Sequence, residues 1–159
     1  MTENRLASGW LQGAVHVLPL RVYWEDTDGT GVVYYANYLR FAERARTDLL
    51  RLVGIEQGVL LADGRLMFGV RYCEVDYFAP ARVDDELQVY TRLTEVRGAS
   101  LQVEQIVRRG GTNLVRAQVK IACLNPAGGP MRLPTALKDS LAALSRSEHI
   151  KTNPENAMN

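Results

Sequence analysis

Between Glu86 and Leu124 apolar and polar residues alternate almost without a break, and only two short glycine-bearing segments interrupt them. Leu87, Val89, Thr91 and Leu93 share one face. Leu101, Val103, Gln105 and Val107 follow, then Val115, Ala117, Val119, Ile121 and Cys123. A side-chain period of two marks a half-buried strand. Arg97-Gly98-Ala99 reads as a tight turn, and Arg109-Gly110-Gly111-Thr112 as a hairpin. Strands joined this closely run antiparallel, because parallel neighbours need a crossover of a dozen or more residues. One face of such a sheet then has to be covered.

The cover is a helix over Tyr35 to Val53. Tyr38, Ala42, Ala45, Leu49, Leu52 and Val53 recur at helical spacing, with Arg40, Glu43, Arg44, Thr47, Asp48 and Arg51 largely between them. Asn37 is the expected N-cap, and Gly54 the residue that ends the helix. Glu43 with Arg46 and Arg44 with Asp48 are pairs worth about 0.2–0.5 kcal/mol each, which reads as a solvated face. Further strands are predicted over Ala14 to Trp24 and Met67 to Phe78. Pro19 puts part of the first on an edge or at a bulge. Shorter helices follow over Glu56 to Ala62 and from Pro134 to about Leu144. The sum is an α+β domain, one long helix wrapped by a curved antiparallel sheet of about five strands. It spans 14–144, with a loose leader at 1–13 and a polar tail at 145–159.

At 159 residues, 47% of them apolar, the chain fits one globular domain. A net charge of +1 gives no field for nucleic acid. Cys73 and Cys123 have no CxxC partner and read as free buried thiols. No export signal or membrane-length apolar run appears, so the cytoplasm is the expected compartment. GxSxG, Walker A and GxGxxG motifs are absent, and the two histidines, His16 in a strand and His149 in the tail, suit neither a serine triad nor a zinc site.

The chemistry falls to Glu25, Asp26 and Asp28, three carboxylates between a strand and a helix. They read either as solvated turn acids or as a site. A helix start offers unpaired N–H groups to an anion or a polarised carbonyl. An aspartate beside it can be nucleophile or general base, while the amides hold an oxyanion. A thiol leaves readily, so thioester hydrolysis needs no strong general acid and suits a site without histidine. Calcium is the rival reading of Asp26-x-Asp28-x-Thr30-Gly31. Its closing ligand position, however, holds Asn37 in place of the bidentate glutamate, so no metal is expected. Phe68 and Val70, with Met67, Leu60 and Leu61, could line an acyl pocket.

RVYWEDTDGTGVVYYANYLRFAERAR, Arg21 to Arg46, resembles the signature of the 4-hydroxybenzoyl-CoA thioesterase family, and is most like its Tol–Pal system-associated acyl-CoA thioesterase branch of bacteria. The likeness continues through FGVRYCEVDYFAPARVDDEL and VRGASLQVEQ and covers about residues 15–135. The resemblance implies a hot-dog fold, hydrolysis of CoA thioesters with no cofactor beyond the substrate's CoA, and a homodimer or homotetramer with its sites between subunits. The family's catalytic aspartate falls on Asp28 and its carbonyl-polarising amide on Tyr35. Asn37 and Tyr38 match the motif that anchors the helix start. The phosphates of the implied CoA would want cations and turn amides, which Arg97, Gly98 and Ser100 offer, with Arg71 or Arg82 nearby, and Arg97 to Ser100 match the family's segment where CoA contacts cluster. Many members of the branch carry histidine where Tyr35 stands and tyrosine where Trp24 stands. Those departures leave a second reading, a non-catalytic acyl-CoA or lipid-binding adaptor in envelope lipid metabolism. A hot-dog dehydratase ranks below both, for want of a histidine base.

Overall fold

The computed structural model describes residues 7–146. Its centre is one six-stranded antiparallel sheet made of β1 (Trp10–Gln12), β2 (Val15–Arg21), β3 (Met67–Tyr77), β4 (Glu86–Val96), β5 (Ser100–Arg109) and β6 (Thr112–Leu124), in the order β1-β2-β4-β5-β6-β3. The sixth strand is β1, inside the stretch read as a leader. It pairs with β2 only from Val15 to Val17. Pro19 lies beyond that reach, where β2 is the sheet edge and a missing N–H costs nothing. The chain leaves the sheet at Arg21, and Trp24–Asp26 is a 3₁₀ turn rather than the end of a strand. Residues 1–6 and the tail beyond Arg146 lie outside the described residues.

Helix α1 (Asn37–Leu52) crosses one face of the sheet, followed by α2 (Gln57–Ala62). Helix α3 (Thr135–Ser145) packs beside it over β4. Ala36, not Asn37, is the N-cap of α1, and no side chain caps it. The end matches its sequence signal. Gly54 takes φ +86°, its N–H donates to the Arg51 carbonyl at 3.1 Å, and Ile55 donates to Leu50 at 2.8 Å. Those two bonds form a Schellman motif, with Ile55 and Leu50 meeting in the core.

The alternating residues of β4, β5 and β6 all face α1 and are buried. They form two apolar clusters. One, under the start of α1, joins Tyr38, Phe41 and Ala45 to Leu87, Val89, Val107 and Val115. The other, under its end, joins Leu49 and Leu50 to Leu93, Leu101, Val103, Val119 and Ile121. Each fully buried Leu, Val or Phe stabilises the fold by about 1.5–3 kcal/mol. Between the clusters runs a polar seam. Gln105 donates to the Ala42 carbonyl and Thr91 Oγ1, both at 2.9 Å, and accepts from Arg46 at 2.7 Å. Arg46 also pairs with Glu43. The expected solvated role of Arg46 is therefore corrected. It is 9% exposed, because position 46 falls on the Ala42–Leu49 stripe of the helix. Arg44 is exposed, and Asp48 pairs with Arg51 at 3.2 Å instead.

Candidate active site

The loop before α1 separates the three carboxylates. Asp26 is buried, and its Oδ2 accepts the Tyr23 N–H at 2.8 Å. The Asp26 carbonyl accepts from the Tyr34 amide at 2.9 Å and from Asn37 Nδ2 at 2.8 Å. Asp26 thus ties the 3₁₀ turn to the first residue of α1, which is why Asn37 cannot serve as the cap. Glu25 is exposed. Asp28 is exposed as well, at the tip of a short loop closed by its own N–H to the Val32 carbonyl at 3.0 Å. Its Oδ1 accepts the Thr30 hydroxyl at 2.6 Å and the Thr30 N–H at 2.8 Å. These bonds, the hydroxyl's above all, hold the Asp28 carboxyl below the usual carboxylate range. Asp26 and Asp28 point at different backbone groups, and among the described residues no three His, Cys, Asp or Glu side chains gather as a metal site.

Tyr35 lies between this loop and the helix. The neighbouring amides of Tyr34 and Asn37 are taken by Asp26 and Tyr34, while among the described residues no acceptor meets the Tyr35 amide. The Tyr35 ring is exposed and stands edge-on to Tyr34 at 5.0 Å and to Tyr77 at 6.2 Å. Tyr77 Oη donates to the Tyr35 carbonyl at 3.0 Å. Tyr38 is buried, and its hydroxyl accepts the Ala81 N–H at 2.9 Å. Asn37 and Tyr38 thus spend their polar groups on holding the helix start. The sequence offers no reading of Tyr77, and Thr30 enters only as part of the calcium-like pattern. Thr30 carried a readable signal, a hydroxyl two residues after an aspartate. Tyr77 carried none, because it meets Tyr35 only through the pairing of β3.

Phe68 and Val70 lie elsewhere. They line a narrow cavity under the second half of α1, with Glu43, Arg46, Leu49 and Leu50 on the helix side and Leu93, Leu101, Val103 and Ile121 on the sheet side. Arg97 and Ser100 lie on a third feature, a groove of about 480 Å³ shared with Arg71, Tyr72, Gln102 and Lys120. Arg97 also meets Glu95 at 2.6 Å. Gly98 sits in the β4–β5 turn, where its carbonyl accepts the Leu133 N–H at 2.8 Å. Both cysteines are free, but only Cys123 is buried. Cys73 is exposed because β3 is the edge of the sheet, which corrects the expectation for that thiol.

Within one chain, then, the loop and helix start form one group, and the cavity and groove another. β3 runs between them. Ten of its eleven residues pair with β6, with Arg71 at a bulge, and its other edge meets no strand among the described residues. Val70, Tyr72 and Tyr77, with Phe78 just beyond, are 43–52% exposed along it. No helix among the described residues is long and apolar enough to cross a membrane.

Residues 22–143 match the family model described as "Thioesterase-like superfamily". An Escherichia coli protein named "Acyl-CoA thioester hydrolase YbgC" is 46% identical over 126 residues, covering 79% of this chain and 91% of that protein. The Haemophilus influenzae "Acyl-CoA thioesterase YbgC" is 47% identical over 107 residues, 67% of this chain and 79% of that one. Among solved structures, a probable thioesterase from Bartonella henselae superposes with a TM-score of 0.72 at 43% identity, covering 76% of this chain and 99% of the other.

Proposed function

The chain belongs to the thioesterase-like superfamily and has the hot-dog fold, and on that premise we propose that it hydrolyses acyl-CoA thioesters at Asp28. One observation carries the site: an exposed carboxylate, favoured in its ionised form by Thr30, stands in the loop that leads into a helix start whose Tyr35 amide has no acceptor among the described residues.

The thioester carbonyl docks with its oxygen on the Tyr35 N–H, which stabilises negative charge as the tetrahedral centre forms. Asp28 either takes a proton from the attacking water or attacks the carbonyl carbon itself. In the first route the water oxygen bonds to carbon, the carbon–sulfur bond breaks, CoA leaves as thiolate, and the proton on Asp28 returns to sulfur. In the second an anhydride forms as the thiolate leaves, and water then cleaves it. Both routes need the ionised carboxyl, which the Thr30 bonds favour further. Tyr35, in the place where histidine is common, contributes its backbone and not its ring. A neutral phenol is a poor base, so the departure leaves this chemistry intact.

CoA is assigned to the groove of Arg71, Arg97, Ser100 and Lys120, where three cations can meet phosphates. The active assembly is a homodimer, or a pair of them, joined through the unpaired edge of β3, so that each site draws on both copies. The setting is the cytoplasm, the compartment of CoA thioesters. The test is thiol release from a panel of acyl-CoA esters, wild type beside Asp28→Asn. Turnover that disappears in the variant while CoA-ester binding remains supports the reading. Saturable binding without turnover in both proteins would move the chain to the carrier or adaptor class.

A further inference from the structure

We infer that Thr30 forms a second oxyanion site, at Asp28 itself, and directs the water that completes each turnover to Asp28 Cγ rather than to the acyl carbon. This rests on the thioesterase reading above, selects its covalent route and assigns the residue that steers it.

Two donors converge on one oxygen of the carboxylate. Thr30 Oγ1 stands 2.6 Å and the Thr30 N 2.8 Å from Asp28 Oδ1. Among the described residues no other residue donates to this carboxylate, and Asp28 is exposed, so Oδ2 is open to substrate. The loop enforces the asymmetry. Gly29 and Gly31 both take φ +90°, a region that favours glycine, and they turn the Thr30 N–H back onto Asp28. The Asp28 N–H closes the turn on the Val32 carbonyl at 3.0 Å, and the Val83 N–H fixes it through the Gly31 carbonyl at 2.9 Å. Branching at Cβ restricts the Thr30 side chain further. A general base gains nothing from such a pair of donors. They hold the carboxyl low, away from the operating pH where a base works best. A carbonyl under attack does gain, because oxyanion donors act from about 2.7–3.1 Å.

Asp28 Oδ2 attacks the acyl carbon, whose oxygen rests on the Tyr35 N–H. The carbon–sulfur bond breaks with its electron pair on sulfur, and the thiolate takes a proton from solvent. The anhydride left behind has two carbonyls. Within one chain the acyl carbonyl has one donor, the Tyr35 amide. The aspartyl carbonyl, Cγ–Oδ1, has both donors of Thr30. Water therefore adds to Cγ and gives a proton to solvent, while the carbonyl electron pair moves onto Oδ1. As that carbonyl re-forms, the Cγ–Oδ2 bond breaks and Oδ2 leaves with the acyl group as its carboxylate. Asp28 is restored with an oxygen from water, and the released acid carries the former Oδ2.

The experiment is a single turnover in water carrying the heavy oxygen isotope, with full-length enzyme in excess over acetyl-, octanoyl- or benzoyl-CoA, whichever releases thiol fastest. Mass spectrometry follows the label in the Asp28 peptide and in the released acid. Wild type is expected to place heavy oxygen on Asp28 and release unlabelled acid. Thr30→Val keeps the N–H and removes the hydroxyl at an exposed position. It should cut the Asp28-to-acid label ratio at least about tenfold, less than the 10²–10³ of a buried oxyanion donor. Its kcat should fall by no more than roughly tenfold, because the acyl carbon stays open to water on the Tyr35 amide. Thr30→Ser should restore the wild-type ratio, which a purely structural threonine would leave unmoved in every variant. Label in the acid alone from wild type would overturn the inference and leave the thioesterase reading standing. So would a Thr30→Val ratio equal to wild type. No thiol release from any of the three esters would remove both.

Discussion

The two ends of helix α1 are built differently. At its start, Asp26, Asp28, Thr30, Tyr34, Tyr35 and Asn37 all lie in the single stretch 26–37, which short hydrogen bonds tie together. At its end, the cavity wall is drawn from α1, α2, β3, β4, β5 and β6, and most of it is buried. The polar seam of Arg46, Gln105 and Thr91 separates the two. On the proposed reading, chemistry is placed where a local loop can set it, and the cavity where the whole core sets it. Variants at the start should change rate with little effect on stability. Variants at the end or in the seam should change selectivity or stability.

Asp28→Asn is the sharpest challenge to that division. Removing the carboxylate should lower kcat by about 10³-fold, while thermal melting matches wild type because the residue is exposed and an amide oxygen can keep both Thr30 bonds. Asp26→Ala, two residues earlier, should behave oppositely. Loss of a capping carboxylate costs about 0.5–2 kcal/mol, so its melting midpoint should fall, read by the same thermal scan. Equal behaviour of the two variants would dissolve the distinction.

In the seam, Arg46→Met leaves Gln105 Oε1 buried without its donor. An orphaned buried polar atom costs about 1–3 kcal/mol, measurable by urea unfolding. Near the same seam, His16 is fully buried, with Nε2 on the Ser8 carbonyl at 2.7 Å and Nδ1 unpartnered. Burial lowers its pKa from the ordinary 6.5, against smaller opposing effects of the Ser8 carbonyl and Asp48. The native state therefore resists a proton that the unfolded chain accepts. Stability is complete above 6.5 and declines as pH falls from there towards the lower native value. Urea midpoints of wild type and His16→Gln across pH 5–8 should diverge on the acid side.

The smallest effects on rate belong to residues around Asp28 and Tyr35. Thr30→Ala removes the stronger bond to Asp28, so the carboxyl rises towards its ordinary range. The acid limb of the kcat/KM profile should then move to higher pH, since activity is present above the Asp28 pKa and lost below it. Tyr77→Phe deletes one exposed hydrogen bond to Tyr35, worth about 0.5–1.5 kcal/mol. It should slow turnover by no more than roughly tenfold.

How much was legible follows the same division. The buried faces of β4, β5 and β6, the helix stop at Gly54 and the proximity of Asp28 to the helix start are all local, and periodicity or turn chemistry reads them. β1 escaped notice because three residues carry no period. The buried state of Arg46 is readable from its place on the Ala42–Leu49 stripe, but its i,i+3 spacing from Glu43 equally fits a surface pair. Tyr77 against Tyr35, and the cavity itself, depend on pairings across the sheet that no single window contains.

The most direct test of a site divided between two copies is complementation. Asp28→Asn and Arg97→Glu, each expected to release little thiol from an acyl-CoA ester, are mixed in equal amounts, and hybrid dimers are verified by native mass spectrometry. The hybrid pairs the intact Asp28 of one copy with the intact Arg97 groove of the other. Half of the dimers are then hybrids with one working site of two, so thiol release should recover to about a quarter of wild type. Hybrid dimers that form and release no thiol would contradict the account.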